Sequence, residues 1–469
     1  MRIIIFGTGT YYQKYKSLVF EKDSVVALAD NNAAKQGTVV DGVPVVAPEA
    51  LASLYFDSVV MLVAYLAAAQ VKEQLLKLGV SEDKILFYDE YIASRHAGEY
   101  TIYDPKSPVK LALVSVALNY NGGTMAIISA ALALIQFGYS VTIVVPAADM
   151  KLVAELNDFG ISVAVYPAFC NMGKKELEWI RCFDFAIVNV LQNIDCAIKI
   201  SGEIPMLWWL HETSDKYNSI YPNTLARWKK YLNDDRIQKV PVFAVSPVAE
   251  RAFHNYFPDV STKLLPYCVK DEGMKAIDNE YKKQIITFAL VGFFSERKQQ
   301  KLFLAAAKKL NESHGDRLRF CLVGKAGDDT YSREVIALAE QIPNVELTGV
   351  LSREQMADLY KNEIDVVVCP SLEECLPTVI TECIMHSRIC IVSDNAGMSE
   401  YILDGVNGFV CKTGDVDSLC QKMLYVINHF NELGDMRREA RITYEKNFTM
   451  DVFARRMDAI IKDIMKITA

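Results

Sequence analysis

Glu374 and Glu382, two glutamates with seven residues between them, lie on either side of a loop that could bind a ligand. Glu374 follows a short apolar run, Asp365 to Cys369, which predicts a buried strand that ends at Pro370-Ser371. Glu382 lies in TVITECIMHS, which has the length and spacing of a helix, and the apolar run ICIVS follows it. The segment therefore predicts a β–loop–α–β unit of a parallel sheet.

Such a unit can bind an anion where the strand ends and the helix begins. Ligands of α/β sheets bind at the carboxyl ends of the strands, and the first N–H groups of the next helix have no partner within that helix. A diphosphate could therefore rest on the amides of Thr378 and Val379. Glu382 would then accept hydrogen bonds from hydroxyls on the nucleoside side, and Glu374 would face the other end of the ligand. A capped surface helix with two solvated glutamates is the alternative for this spacing alone.

The same segment resembles the signature of the family 4 retaining glycosyltransferases, which have the GT-B fold. The residues that carry the resemblance are Pro370-Ser371, Glu374, Pro377, Glu382, Ile391, Gly397, Glu400, Asp404-Gly405 and Asn407-Gly408. Three positions depart from the usual pattern, because Cys375 and Ser387 replace glycines and Ile389 replaces a proline. The resemblance covers roughly residues 109–469 and is densest after residue 286.

Three earlier segments resemble other parts of that family. Gly122-Gly123 follow a predicted strand, and glycines let the backbone approach a ligand; a tight turn between strand and helix is the alternative. His211 ends the run WWLH and resembles the family's histidine near the donor sugar, which orients the sugar or stabilises charge; a packed histidine is the alternative. Gly349 and Val350 resemble the residues that line the nucleobase slot.

Arg297 and Lys298 form a cationic pair between a predicted strand, IITFALVG, and a predicted helix. A departing diphosphate requires fixed positive charge where its negative charge develops. In the family an arginine often follows the glycine directly and a lysine comes later. Here Phe293 takes the first place, Lys298 keeps the second, and Arg297 is expected to substitute for the missing arginine. A solvated surface pair is the alternative.

The resemblance implies transfer of a hexose from a nucleoside diphosphate sugar to an acceptor hydroxyl, with retained anomeric configuration. It implies Glu374, His211 and Lys298 as catalytic residues. The residues that it implies for donor binding are Gly122, Gly123, Arg297, Lys298, Gly349, Val350, Leu376, Thr378, Val379 and Glu382. We expect a UDP-sugar as the donor substrate, no cofactor and no metal. The D-x-D sequence at Asp415-Val416-Asp417 precedes a predicted helix and is expected to be a helix cap.

Residues 1–98 predict a small Rossmann-like domain. Gly7-Thr8-Gly9 follows the predicted strand RIIIFG and could hold a phosphate, and Asp30 ends the next strand, where a Rossmann fold keeps its ribose-binding acid. Tyr12 occupies the place of the third glycine. The segment resembles the small nucleotide-binding-like domain found before sugar acetyltransferases and in some sugar methyltransferases. Nucleotide binding and docking to a partner or another subunit, which would allow an oligomer, are both open.

The polar segment 96–110, with two prolines, predicts a linker to the rest of the chain. The fold class expected is α/β, a GT-B fold of two Rossmann-like domains facing a cleft, preceded by the small additional domain. We predict an acceptor domain at 109–280, a donor domain at 281–450 and a C-terminal helix at 451–469 that packs back on the acceptor domain.

Composition excludes several other classes of protein. The chain has 469 residues, 51% of them hydrophobic and 23% charged, which is typical of a globular protein with two or three domains. Its net charge of −8 argues against a nucleic-acid partner. The eleven cysteines lie mostly in apolar runs without C-x-x-C spacing, as expected in a reducing compartment. With no signal-peptide layout and no apolar run long enough to span a bilayer, we expect a cytoplasmic protein, at most peripheral at the inner face of the membrane.

The acceptor expected is a saccharide, a lipid-linked molecule or a protein, in the assembly of cell-surface polysaccharide, glycolipid or glycoprotein. A non-catalytic GT-B partner that recognises an acceptor for an active subunit is the alternative. Such proteins generally lose the paired glutamates or the cations, so the presence of Glu374, Glu382 and Lys298 favours catalysis. A GT-B sugar-nucleotide epimerase would be expected to show a different set of acids and histidines.

Overall fold

The computed structural model describes residues 1–96, 108–119, 122–219, 235–273 and 283–468. Most of the predicted linker at 96–110, and residues 120 and 121 of the predicted glycine loop, lie outside these described residues. The chain forms two compact units: Met1–Asn119, Ser140–Leu207 and Asn218–Val240 make the first, and Tyr120–Tyr139, Trp208–Tyr217 and Pro241–Ala469 make the second.

An α/β domain begins the first unit. Its strands are β1 (Arg2–Phe6), β2 (Ser24–Ala29), β3 (Val39–Val40), β4 (Val43–Val46), β5 (Ser58–Met61) and β6 (Ile85–Phe87), and its helices are α1 (Thr10–Lys22), α2 (Tyr65–Lys77) and α3 (Tyr88–Arg95). The strand order is β3-β4-β2-β1-β5-β6, and every pair is parallel except β3 with β4. The central strand β1 is an apolar run buried on both faces, as parallel sheets require. The additional N-terminal α/β domain predicted from the sequence is confirmed.

Helix α3 packs against a 3-10 turn at Pro167–Asn171, further along the chain in the same unit. Ala168 of that turn is 1% exposed and belongs to the same hydrophobic cluster as Tyr91 and Ile92 of α3. The N-terminal domain is therefore held to the rest of the first unit by apolar packing.

Strands and helices alternate again from Lys110 to Leu264. They are β7 (Lys110–Val114), α4 (Gly122–Gln136), β8 (Ser140–Val145), α5 (Met150–Asp158), β9 (Ser162–Val165), α6 (Lys174–Ile180), β10 (Phe185–Asn189), α7 (Ile194–Ile200), β11 (Met206–Leu210), α8 (Ser214–Ser219), β12 (Val242–Ala244), α9 (Pro247–His254) and β13 (Thr262–Leu264). In the first unit, four parallel strands lie in the order β10-β7-β8-β9. In the second unit, β12 lies between β11 and β13 and is parallel to both.

A fully parallel sheet of six strands forms the largest part of the second unit. Its elements are β14 (Ile286–Val291), α10 (Gln300–His314), β15 (Leu318–Val323), α11 (Thr330–Ala339), β16 (Val345–Gly349), α12 (Arg353–Asn362), β17 (Val366–Cys369), α13 (Thr378–Met385), β18 (Ile389–Ser393) and β19 (Phe409–Cys411). The strand order is β16-β15-β14-β17-β18-β19. The predicted β–loop–α–β unit is confirmed as β17, α13 and β18. The strand starts one residue later than predicted, at Val366, and the buried carboxylate of Asp365 before it accepts a hydrogen bond from the Thr287 amide.

Three helices follow the last strand: α14 (Val416–His429), α15 (Gly434–Asn447) and α16 (Met450–Thr468). The carboxylate of Asp415 accepts hydrogen bonds from the amides of Asp417 and Ser418 at the start of α14, so the predicted helix cap is confirmed. Helix α16 packs against α4, and the hydroxyl of Tyr139 donates to Asp458 at 2.6 Å. None of the helices that the structure describes is both long and apolar enough to cross a membrane.

Candidate functional site

Three glycines line the carboxyl edge of the six-stranded sheet, and we call Gly292, Gly324 and Gly349 the glycine floor. They lie at the ends of the neighbouring strands β14, β15 and β16. The amide of Gly324 donates to the carbonyl of Gly349 at 2.9 Å. Gly324 has a φ of +142°, and a Cβ there would collide with the carbonyl oxygen of Gly292. Gly324 is therefore required for the close packing of neighbouring strand ends, and the three glycines leave main-chain atoms at the edge where ligands of parallel sheets bind.

Lys298 and Glu374 meet above this edge. Lys298 ends a 3-10 turn after β14, Glu374 follows the neighbouring strand β17, and Lys298 Nζ lies 2.6 Å from Glu374 Oε2. Arg297 Nη1 lies 2.5 Å from the same oxygen. The structure thus brings together the predicted cationic pair and the first glutamate of the motif, which we call the cation–carboxylate cluster (Arg297, Lys298 and Glu374).

The cluster carries two positive charges and one negative charge in a partly buried position. The side chains of Lys298 and Glu374 are 15% and 16% exposed. Burial opposes ionisation of Glu374, but the charges of Lys298 and Arg297 outweigh it and hold its pKa below the usual value. Glu374 is therefore ionised at neutral pH, and the N–H groups of Lys298 and Arg297 that do not contact it can serve an anionic ligand.

Gln300 fixes the turn that carries both cations, and sequence reasoning missed it. Its side chain is fully buried, its amide nitrogen donates to the carbonyl of Phe293 at 3.0 Å, and its amide oxygen accepts from the amide of Ser295 at 3.2 Å. The sequence shows a glutamine in a predicted helix but not that its side chain is buried. The role of Gln300 therefore becomes visible only in the folded chain.

Thr378 and Val379 begin α13, as the sequence predicted. The residue before them, Pro377, is the N-cap and makes no side-chain hydrogen bond to the helix. The first turn of α13 also contains no acidic residue. The amides of Ile380 and Thr381 donate to the carbonyl of Pro377, whereas no side chain of Pro377 caps the amides of Thr378 and Val379, which the predicted phosphate contact requires.

Two buried tyrosines bond to main-chain carbonyls at the start of α13, and neither was predicted as a site residue. The hydroxyl of Tyr267 donates to the carbonyl of Leu376, and the hydroxyl of Tyr360 donates to the carbonyl of Val379 at 3.2 Å. Both contacts fix the main chain of the predicted donor-binding loop.

Gly397 joins a second loop to the one that carries Glu374. Its amide donates to the carbonyl of Glu374 at 2.8 Å. A Cβ on Gly397 would collide with the carbonyl of Cys375 and would lie 2.6 Å from the hydroxyl of Ser246, the N-cap of α9. The glycine of the predicted motif is therefore required for close packing and not for an unusual backbone angle.

Glu382 lies on α13, one turn beyond Thr378 and Val379, and its side chain is partly buried. Burial raises its pKa to about 7. Near neutral pH the side chain is therefore present in both its protonated and its ionised form.

His211 follows β11 in the same unit as Glu374. Its ring centroid lies 4.5 Å from that of Trp209, and its Nε2 is buried without a hydrogen-bond partner among the described residues. Burial lowers its pKa to about 3, so the imidazole is neutral at physiological pH. Its backbone amide donates to Glu212 Oε2 at 2.9 Å.

The remaining predicted donor residues lie at two element ends. Gly122 and Gly123 begin α4, directly after two residues outside the described part of the chain. Gly349 ends β16, and Val350 after it is 70% exposed. Within the described ranges, no group of three or more His, Cys, Asp or Glu side chains could hold a metal ion.

In the N-terminal domain, the turn that was predicted to hold a phosphate, Gly7-Thr8-Gly9, is hydrogen-bonded to other residues of the same domain. The amide of Thr8 donates to Asp30 Oδ2 at 2.9 Å, and Lys35 Nζ lies 3.0 Å from the Thr8 hydroxyl and 3.5 Å from Asp30 Oδ2. A ribose would have to displace Thr8 from this carboxylate. Nucleotide binding and docking both stay predictions for this domain.

The cation–carboxylate cluster lies in a part of the chain that matches a known protein family. Residues 271–443 match the family described as Glycosyl transferases group 1, and residues 1–86 match the one described as C2185-like, N-terminal. Glu374, Glu382 and Lys298 lie within the first of these segments, whereas His211 and Gly122-Gly123 precede it. The match supports a glycosyltransferase. A search of curated protein sequences found no match.

Solved structures resemble the chain in fold. A glycosyltransferase from Rickettsia africae has a TM-score of 0.63 and 17% identity, over 76% of this chain and 99% of that one. Anabaena HepE in complex with UDP and glucose has a TM-score of 0.62 and 16% identity, over 76% of this chain and all of that one (100%). Sucrose-phosphate synthase from Thermosynechococcus elongatus has a TM-score of 0.60 and 15% identity, over 77% and 100%. The chain therefore has the predicted GT-B fold of glycosyltransferases, with the additional α/β domain at its N-terminus.

Proposed function

We propose that the protein is a retaining glycosyltransferase that moves a hexose from a nucleoside diphosphate sugar, expected to be a UDP-sugar, to an acceptor hydroxyl. The observation that carries this proposal is the convergence of Lys298 and Arg297 on Glu374 at the carboxyl edge of a parallel sheet. These residues lie inside the segment that matches Glycosyl transferases group 1. That HepE was solved with UDP and glucose is consistent with a sugar nucleotide as donor here.

The donor diphosphate would lie over the glycine floor, with its oxygens on the amides of Thr378 and Val379. Lys298 has three N–H donors, so it can bind Glu374 and a phosphate oxygen at the same time. As the bond between the sugar and the diphosphate lengthens, negative charge grows on the leaving group. A cation already held in place stabilises this charge without rearrangement, which lowers the barrier.

The sugar would lie between Glu374 and His211. An ionised Glu374 can accept hydrogen bonds from sugar hydroxyls, and a neutral His211 can orient the sugar but supplies no positive charge. Because the pKa of Glu374 is lowered, it is a weak base. We therefore propose that the departing diphosphate takes the proton of the acceptor hydroxyl, while the acceptor oxygen bonds to the anomeric carbon on the same face.

Glu382 would bind the hydroxyls of the nucleoside. Only its ionised form offers two acceptor oxygens to a pair of hydroxyls. Since burial places its pKa at about 7, donor binding through this residue should tighten as the pH rises from 6 to 8. The acceptor proposed is a saccharide, a lipid-linked molecule or a protein, in the assembly of cell-surface glycans.

The proposal is tested by incubating the full chain with UDP-, GDP- and dTDP-sugars and reading hydrolysis products by NMR. We expect one donor to be hydrolysed slowly without acceptor, with a first-formed sugar of the same anomeric configuration as the donor. An inverted product would exclude the retaining mechanism. If none of the three donor types is bound or hydrolysed, the alternative of a non-catalytic partner replaces this proposal.

A further inference from the structure

Glu373, the neighbour of Glu374, makes a two-point contact with Ser214. The Ser214 amide donates to Glu373 Oε2 at 2.9 Å, and the Ser214 hydroxyl donates to Glu373 Oε1 at 2.8 Å. Both carboxylate oxygens are thus occupied by one residue that lies 159 positions earlier in the chain. Because each carboxylate oxygen has its own donor on Ser214, the contact restricts both the backbone and the side chain of that residue.

Arg297 attaches the same loop from the other side. Its Nη1 donates to the carbonyl of Glu373 at 3.0 Å, in addition to its contact with Glu374. Its Nε lies 3.9 Å from the carboxylate of Asp215, directly after Ser214. The cation–carboxylate cluster is therefore connected through Glu373 and Arg297 to the first residues of α8.

The segment fixed in this way carries His211. Residues 211–213 lie between β11 and α8 without regular secondary structure. The imidazole Nε2 has no hydrogen-bond partner among the described residues, so a bond at this nitrogen does not fix the ring. Besides its ring contact with Trp209 and its backbone hydrogen bond to Glu212, His211 is held by β11 before it and by the Ser214–Glu373 contact after it.

We propose that Glu373 is a positioning residue, which holds Ser214 and thereby sets His211 relative to Glu374 for reaction of the donor sugar. This inference rests on the proposed function. Glu373 itself needs no contact with the substrate. The residue before Glu374 thus joins the loop of Glu374 to the segment of His211, and its effect should appear in the chemical step more than in donor binding.

The test compares Glu373→Ala, Glu373→Gln and Leu372→Ala in the full chain. Glutamine restores the contact, because its oxygen can accept from the Ser214 amide and its NH₂ can donate to the Ser214 hydroxyl. Leu372 is the matched control, since it is the adjacent residue and its side chain is 41% exposed. For each variant we would measure kcat and KM for the donor, and amide hydrogen exchange of residues 211–217 without donor.

We expect Glu373→Ala to lower kcat by between about tenfold and a hundredfold with donor KM within about twofold, because a misplaced group costs the chemical step. Glu373→Gln should recover most of kcat, and Leu372→Ala should match wild type. Ser214→Ala combined with Glu373→Ala should be less than additive, as for residues in one contact. Exchange of residues 211–217 should accelerate in Glu373→Ala only.

Two results would overturn the proposal. One is an unchanged kcat in Glu373→Ala, whether or not exchange accelerates, because the contact would then have no consequence for the reaction. The other is a loss of kcat in Glu373→Gln as large as in Glu373→Ala, which would point to the charge itself. Failure of the proposed function is recognised separately, because the wild-type chain would then process no sugar nucleotide. Hydrogen exchange would still show whether Glu373 restrains residues 211–217.

Discussion

The ammonium nitrogen of Lys298 lies 2.6 Å from a carboxylate oxygen of Glu374, and the two residues follow adjacent strands of one parallel sheet. Because the strands fix both turns, the cation is held in place before any reaction begins. Its position therefore does not have to be organised during bond breaking, which is the condition under which a charge is most effective in catalysis.

Lys298→Ala should lower kcat by about 10²-fold, equivalent to about 3 kcal/mol, because the charge acts mainly on the departing diphosphate. Circular dichroism should show an unchanged fold. Lys301→Ala is the control, since Lys301 pairs with Glu334 at the surface of the same unit. Activity of Lys298→Ala within about threefold of wild type would contradict the assignment. Loss of wild-type activity in EDTA would also contradict it, because a metal would then supply the charge.

Glu382→Gln should change how stability depends on pH. The pKa of Glu382 is about 7 in the folded chain against 4.5 for an ordinary glutamate. Between these values the folded chain binds more protons than the unfolded chain, so the contribution of Glu382 to the free energy of unfolding falls as the pH rises. The variant should therefore gain about 1–3 kcal/mol over wild type from pH 5 to pH 8.

Thermal unfolding of both proteins at pH 5, 6, 7 and 8 measures this effect. Glu400→Gln serves as the control, because Glu400 is an exposed glutamate of the same unit. If the difference between Glu382→Gln and wild type were the same at all four pH values, the raised pKa would be wrong.

Gly397→Ala should distort the loop that carries Glu374. The added methyl group collides with the carbonyl of Cys375 and crowds Ser246, so main-chain atoms must move. Overpacking of this kind costs about 1–3 kcal/mol, and we expect a lower melting temperature together with at least about a tenfold loss of kcat. Gly434→Ala is the control, since its nearest neighbour is the end of the Arg438 side chain at 3.9 Å. Equal effects of the two substitutions would argue against a tight contact at Gly397.

Ala168→Glu should destabilise the packing of the N-terminal domain on the rest of its unit. Ala168 is 1% exposed and lies in the cluster that contains Tyr91 and Ile92, so an unpaired charge there is expected to cost several kcal/mol. The measurement is thermal unfolding of the full chain. Ala52→Glu, at an exposed position of the N-terminal domain, should leave the melting temperature unchanged. A stable Ala168→Glu variant would show that this packing contributes little.

The sequence predicted those parts of the site that are local in the chain. Apolar runs ended by Pro370-Ser371 located β17, and the spacing of Glu374 and Glu382 placed one carboxylate before a helix and the other on it. These features depend on residues that are close in the sequence, and the spacing of apolar residues reveals such features.

The contacts that hold the site together could not be predicted in the same way. Glu373 and Ser214 are 159 residues apart, and Tyr267 and Leu376 are 109 residues apart. Neither pair has a local pattern, because each depends on the tertiary path of the chain. Asp30 shows the same limit, since its place after β2 was visible in the sequence but its hydrogen bond with the Thr8 amide was not.

The glycine floor also bears on how this protein could be engineered. Main-chain atoms are common to all amino acids, so the floor keeps its shape when the side chains around it are exchanged. Phe293 and Val350, which directly follow two of its glycines, are 53% and 70% exposed and are free to vary without disturbing the sheet. A library that aims at a different sugar nucleotide should therefore randomise these two positions and leave Gly292, Gly324 and Gly349 untouched.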